Sequence, residues 1–130
     1  MPKNNKTKGQ IEAEISEAII KFEKEYMGRG PDETKTYIID NMILIRLNRV
    51  LTPAEQQLAR ESGDTKGRSL IKEVRRELIE KARPLLDPMI EEITGTKVKS
   101  LHTDISTITG ERIIVFTLEV SFLGDSTRSE

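Results

Sequence analysis

Residues 34–50 read TKTYIIDNMILIRLNRV. Two runs rich in β-branched and aliphatic residues flank Asp40-Asn41, so residues 34–39 and 42–50 read as strands. Aspartate and asparagine both tolerate positive φ, which predicts a tight hairpin turn between them. In the second strand, Ile43, Ile45 and Leu47 share one face, and Met42, Leu44, Arg46 and Asn48 share the other. A second hairpin is predicted over residues 97–106 and 111–122, with Thr107-Ile108-Thr109-Gly110 as its turn. Its last strand carries Ile114, Phe116, Leu118, Val120 and Phe122 on one face and Ile113 and Val115 on the other. Apolar residues on both faces predict a central strand or a contact between copies.

Three helical patterns surround these hairpins. Over residues 10–27, Ile11, Ile15, Ala18, Ile19, Phe22 and Tyr26 recur at spacings of three and four. Gly28-Arg29-Gly30-Pro31 ends that helix, because glycine accepts the left-handed turn and proline cannot continue a helix. Thr52-Pro53-Ala54-Glu55 is a capping box with proline at the first helical position, and a short helix follows to about Arg60. Residues 62–67 break it. A long helix then starts near Arg68, with Leu70, Ile71, Val74, Leu78, Ala82, Leu85, Met89 and Ile93 as its predicted apolar stripe. Pro84 and Pro88 interrupt this helix and predict a kink near Arg83, or two helices nearly end to end. Gly95 closes it. The order α-β-β-α-α-β-β is an α+β fold: a four-stranded antiparallel sheet with helices on one face. The other face is then open, and a homodimer is its simplest cover.

Composition bounds the chemistry. The chain has 130 residues, which suits one domain, read here as residues 9–123 between a flexible basic tail (1–8) and a flexible tail (124–130). There is no cysteine, which excludes disulfides and thiolate chemistry. The formal net charge is −1, without the basic excess usual in nucleic-acid proteins. No apolar run has the length of a transmembrane segment, and the first residues lack a signal-peptide core. A cytoplasmic protein is expected. No cofactor and no metal site is expected.

The polar candidates are few. His102 and Asp104 lie on one strand face, the arrangement of a general base and its orienting carboxylate. A half-exposed polar sheet face explains the same pair with less. Arg46 sits inside an apolar strand, either as an anion-binding group beside Asp104 or His102, or in an ion pair. No nucleophile-elbow motif is present, and the glycines at 28 and 30 follow a helix where a phosphate loop would precede one. Residues 66–83 hold a local charge of +4. Gly63 to Gly67 joins two helices within a strand-helix-helix-strand order, which resembles KH domains. The alternative function is therefore single-stranded nucleic-acid binding through Lys66, Arg68, Lys72, Arg75 and Arg76. It is the weaker reading, because the spacing is G-x-x-x-G and the third helix is far longer than that module needs.

Six stretches, taken in order, resemble one small bacterial family. They are GRGP at 28–31, IIDNMILIRL at 38–47, LTPAE at 51–55, LIKEVRREL at 70–78, LHTDIST at 101–107 and TGERIIVFTL at 109–118. The family is MpsC, named after the third component of a sodium-translocating, membrane-potential-generating system. The resemblance implies a small soluble domain, an association with a membrane system in some members, and no established reaction. Arg29, Arg46, His102, Thr103 and Asp104 fall in these stretches and form the candidate polar site. The expected function is a non-enzymatic accessory or regulatory domain. It would act through protein contacts with a membrane protein complex, peripheral to the membrane through that partner. A small-ligand site around His102, Asp104 and Arg46 is a further alternative.

Overall fold

The hairpin over residues 34–50 forms in register. In the computed structural model, which describes residues 6–60 and 66–120, β1 (Glu33–Ile39) pairs antiparallel with β2 (Met42–Asn48). Their last pair is Ile39 with Met42, and Asp40 turns the chain at φ 58°. The second hairpin is β3 (Val98–Ile105) and β4 (Arg112–Leu118), also antiparallel. β2 joins β4, giving one antiparallel sheet in the order β1-β2-β4-β3. β4 is thus an inner strand, the first of the two alternatives that its apolar residues on both faces predicted. It ends at Leu118, before the expected end; Val120 lies beyond it, and Phe122 lies outside the described residues.

Among the described residues, three α-helices cover one face. α1 (Lys8–Phe22) begins two residues before its predicted start, capped by a reciprocal Thr7–Gln10 box. It buries Ile11, Ile15, Ile19 and Phe22 and then loosens into one π-helical turn, Glu23–Met27. Gly28 stops it at φ 101°. α2 (Pro53–Ala59) carries the predicted Thr52–Glu55 box. α3 (Lys66–Thr94) is a single helix of 29 residues through both prolines, not two helices end to end. Pro84 and Pro88 are both exposed, as is Glu80. The carbonyls left without a donor, those of Glu80 and Pro84, are therefore on the side where water can satisfy them.

The buried stripe of α3 agrees with the predicted one at Ile71 and Ala82 and departs from it elsewhere. Its buried row is Gly67, Ile71, Arg75, Ile79, Ala82, Leu86, Ile90 and Thr94. Leu70, Val74 and Leu85 are instead 46%, 50% and 56% exposed. Gly67 belongs to the buried row for a steric reason: a Cβ there would come within 2.5 Å of the Leu58 carbonyl oxygen on α2. The core lies between these helices and the inner sheet face, where Ile43, Ile45, Leu47, Ile114, Phe116 and Leu118 are buried.

Helix glutamates also reach the two outer strands of the sheet. Glu12 of α1 accepts the backbone N–H of Ile38 on β1 at 2.8 Å. Glu91 of α3 accepts that of Val98 on β3 at 2.9 Å.

Candidate functional site

The strand register builds the open face row by row. Lys35, Arg46, Ile113 and Asp104 lie opposite one another across β1, β2, β4 and β3. The next row is Tyr37, Leu44, Val115 and His102; the third is Ile39, Met42, Thr117 and Ser100. Tyr37, Ile39 and Met42 are 39%, 47% and 36% exposed, and Leu44, Ile113 and Val115 are half-buried. An apolar strip thus runs over β1, β2 and β4, edged by polar groups on β3. With strands about 4.8 Å apart and a rise of about 3.3 Å per residue, the face projects on the order of 400 Å².

The predicted polar site is divided among separate places. Arg46, His102 and Asp104 do share the open face, but β4 runs between Arg46 and the other two. Arg46 is engaged by Glu111, through Nε at 3.2 Å and Nη2 at 2.7 Å. This is the ion-pair reading of that residue. Asp104 accepts the Ile105 N–H at 2.8 Å and pairs with Lys72 of α3 at 3.3 Å. The Ile105 amide first, and Lys72 after it, hold its carboxyl below the usual range. His102 Nε2 meets the Ser100 hydroxyl at 3.1 Å, not a carboxylate. A hollow of about 430 Å³ beside Asp104 is lined by Lys72, Glu111 and Ile113, and neither His102 nor Arg46 lines it. Thr103 points to the other side of β3, where its hydroxyl donates to the Ile113 carbonyl at 2.8 Å. Arg29 lies after the π-helical turn, donating through Nε to the Arg49 carbonyl at 3.0 Å and pairing with Asp32 at 3.4 Å.

The basic cluster of α3 also divides. Arg75 is 1% exposed and cannot reach a nucleic-acid backbone, which corrects its place among the candidate contacts. Arg68 donates to the Ala59 carbonyl at the end of α2 at 3.2 Å. Lys72 is held by Asp104, while Lys66 and Arg76 are exposed. Gly63, the first glycine of the expected loop, lies outside the described residues, and Gly67 is inside α3.

A group that the sequence reading missed occupies the interior. Glu23 is fully buried, and Arg75 and Arg112 are each 1% exposed. Arg112 Nη1 donates to Glu23 at 3.2 Å, and Arg75 Nη1 lies 3.8 Å from the same carboxylate. Arg75 also forks onto Glu55, through Nε at 3.0 Å and Nη2 at 2.7 Å, and Nη2 donates to the Val50 carbonyl at 3.0 Å. The capping carboxylate of α2 is thereby a ligand of α3 as well. Two carboxylates balance two guanidiniums. Burial pushes Glu23 above the usual carboxylate range despite both arginines, and burial lowers Arg112. At Glu55 burial also acts upward, but the Arg75 hydrogen bond and the Thr52 amide outweigh it and leave the group below its usual value. Each buried charge had a signal in the sequence. Glu23 continues the series 11, 15, 19; Arg75 falls between Ile71 and Ile79; Arg112 has the parity of Ile114 and Phe116.

Residues 7–120 match the family described as "Na+-translocating membrane potential-generating system (MpsC)". Among curated proteins, the chain is 48% identical over 113 residues to "Uncharacterized protein YbcI" of Bacillus subtilis (strain 168), covering 87% of this chain and 89% of that one. It is 30% identical over 107 residues to "Uncharacterized protein YrhF" of the same organism, covering 82% and 85%. No solved structure matches the chain.

Proposed function

The chain belongs to the MpsC family, and from that premise we propose that it is a non-enzymatic accessory domain of a membrane-associated, sodium-translocating system, whose open sheet face docks a second copy of the same chain. No helix among the described residues is long and apolar enough to cross a membrane. In this reading the domain works at the cytoplasmic side, held there by its protein partner.

The observation that carries the reading is the self-complementary layout of the open face. The first row runs from basic Lys35 on β1 to acidic Asp104 on β3, the second from Tyr37 to His102, and the third from apolar Ile39 to polar Ser100. A two-fold axis parallel to the strands, midway between β2 and β4, turns one face onto another. It lays Lys35 of one copy over Asp104 of the second, Tyr37 over His102, and Leu44 over Val115. The β2 and β4 part of the apolar strip then meets itself, as aligned sheets do at a spacing of about 10 Å. A two-fold interface needs such a patch, because the same surface serves both copies.

Light scattering on the purified chain tests the reading. The expected result is a dimer that Leu44→Lys converts to monomer. Lys35→Asp and Asp104→Lys should each weaken it, and combining them should restore it. A monomer at every concentration, or a dimer indifferent to Leu44→Lys, refutes the docking face. In cells lacking the protein, the sodium-dependent membrane potential, read with a voltage-sensitive dye, should fall. The Leu44→Lys variant should fail to restore it; full restoration would separate the face from the function.

A further inference from the structure

Away from the open face, the β3–β4 turn folds against the segment that follows β2 and leaves a cavity of about 480 Å³. Arg29, Arg49 and Arg60 line it, with Gln56, Thr107 and Thr109. No carboxylate lines it among the described residues. Asp32 pairs with two of these arginines, with Arg29 Nη2 at 3.4 Å and with Arg49 Nε at 3.4 Å. Among the described residues, one carboxylate against three guanidiniums leaves an excess of two positive charges. A phosphate matches that excess better than a monocarboxylate, and planar guanidiniums bind its oxygens in pairs.

The backbone at the cavity is unusual. Arg49 adopts φ 60°, a left-handed conformation uncommon for a long side chain. Two hydrogen bonds hold it there. The Arg49 carbonyl accepts from Arg29 Nε at 3.0 Å, and the next amide, Val50 N–H, donates to the Gly110 carbonyl at 3.0 Å. Gly110 itself has φ 80°, and a Cβ on it would stand 3.4 Å from the Arg49 Cα. Strain of this kind persists where the surroundings over-determine it, and it concentrates at binding sites. Here it sets a guanidinium on the cavity wall.

The cavity exceeds a bare phosphate and lies in the range of small-molecule sites. Leu51, Pro53 and Ile108 supply an apolar wall. We propose that this cavity binds a small organic phosphate of nucleotide size, with Arg29, Arg49 and Arg60 holding the phosphate and the apolar wall receiving the organic part. The site stands apart from the sheet face, so the loss of either leaves the other intact.

The test is a titration of the full chain at low salt with two probes, inorganic pyrophosphate and the fluorescent nucleotide mant-ADP. Both should bind, mant-ADP more tightly, and affinity should fall as salt is added. Arg49→Gly removes the guanidinium and suits φ 60° better than arginine does. It should lower mant-ADP affinity about tenfold or more while the melting temperature holds or rises, which a merely structural role for Arg49 would not give. Arg60→Gln should weaken binding in the same way. Absence of binding by both probes, or unchanged affinity in both variants, overturns the proposal. Equal affinity for the two probes overturns the organic-phosphate assignment in favour of a bare anion.

Discussion

Replacing Arg112 by leucine isolates the buried charges. The guanidinium that is lost is 1% exposed and holds Glu23 at 3.2 Å. Glu23 then keeps only Arg75, at 3.8 Å and without a hydrogen bond. An orphaned buried charge costs about 3–5 kcal/mol. Glu23 has an escape, however, because it can take up a proton. From the ordinary value of 4.5, neutralising a carboxyl at pH 7 costs about 3.4 kcal/mol, and at pH 5 only about 0.7 kcal/mol. The charge penalty is therefore capped near 3 kcal/mol at pH 7 and shrinks by about 1.4 kcal/mol per pH unit below it. The sign follows from the raised value of Glu23. A carboxyl whose folded pKa lies above its unfolded one contributes stability below the unfolded pKa and loses it as pH rises through the folded one. Arg112→Leu pushes that folded value further up, so the variant approaches the parent as pH falls. Urea unfolding followed by circular dichroism measures this. With a slope of about 1.5–2 kcal/mol per molar, the midpoint should drop by about 1.5–2 M at pH 7. Adding Glu23→Leu should return most of the loss and remove its pH dependence, since well-packed apolar residues replace buried pairs at little cost. Equal losses at pH 5 and pH 7, or a loss under about 0.5 kcal/mol at pH 7, would refute the reasoning.

Other substitutions probe the packing. Gly67→Ala should destabilise by about 1–3 kcal/mol, against alanine's better helix propensity, because the new Cβ meets the Leu58 carbonyl; an unchanged melting temperature would mean that α2 moves freely. Thr52→Ala should cost about 1 kcal/mol through the lost cap, read as a lower urea midpoint. Val74→Glu on the exposed row of α3 should change stability by less than about 0.5 kcal/mol, whereas Ile79→Ala on the buried row should cost about 2–5 kcal/mol. Reversed sizes for that last pair would restore the stripe that apolar counting predicts.

That stripe shows where sequence legibility ended. The elements and their order could be read because glycine, proline and Asp-Asn punctuate runs whose period changes between helix and strand. The phase of α3 could not. Leu70-Ile71, Leu78-Ile79, Leu85-Leu86 and Met89-Ile90 put apolar residues on two adjacent rows, so periodicity alone does not choose between them. The buried row also contains Arg75 and Thr94 where the neighbouring row offers Val74 and Ile93. Counting apolar residues thus favours the wrong row, and the same rule hides Glu23 and Arg112. Periodicity marks their inward positions, but their burial depends on each other and on Arg75, brought together from the π-helical turn, β4 and α3, which no local pattern contains. The candidate polar site was legible only in part. Strand alternation placed Arg46, His102 and Asp104 on one face correctly, but the strand order that separates them is a tertiary fact. The arginine cavity joins segments from four parts of the chain, and only Arg29 was singled out from sequence.

The glutamates that take an outward amide on each border strand have a consequence for assembly. A sheet usually grows sideways, by recruiting another chain's strand along a free border. Glu12 and Glu91 occupy donors at which that recruitment would begin. In the proposed pairing the copies meet broadside instead, and a broadside pair related by a two-fold consumes the surface that made it. Such a contact stops at two molecules. A pair of that kind closes on itself and offers no surface from which a filament could grow.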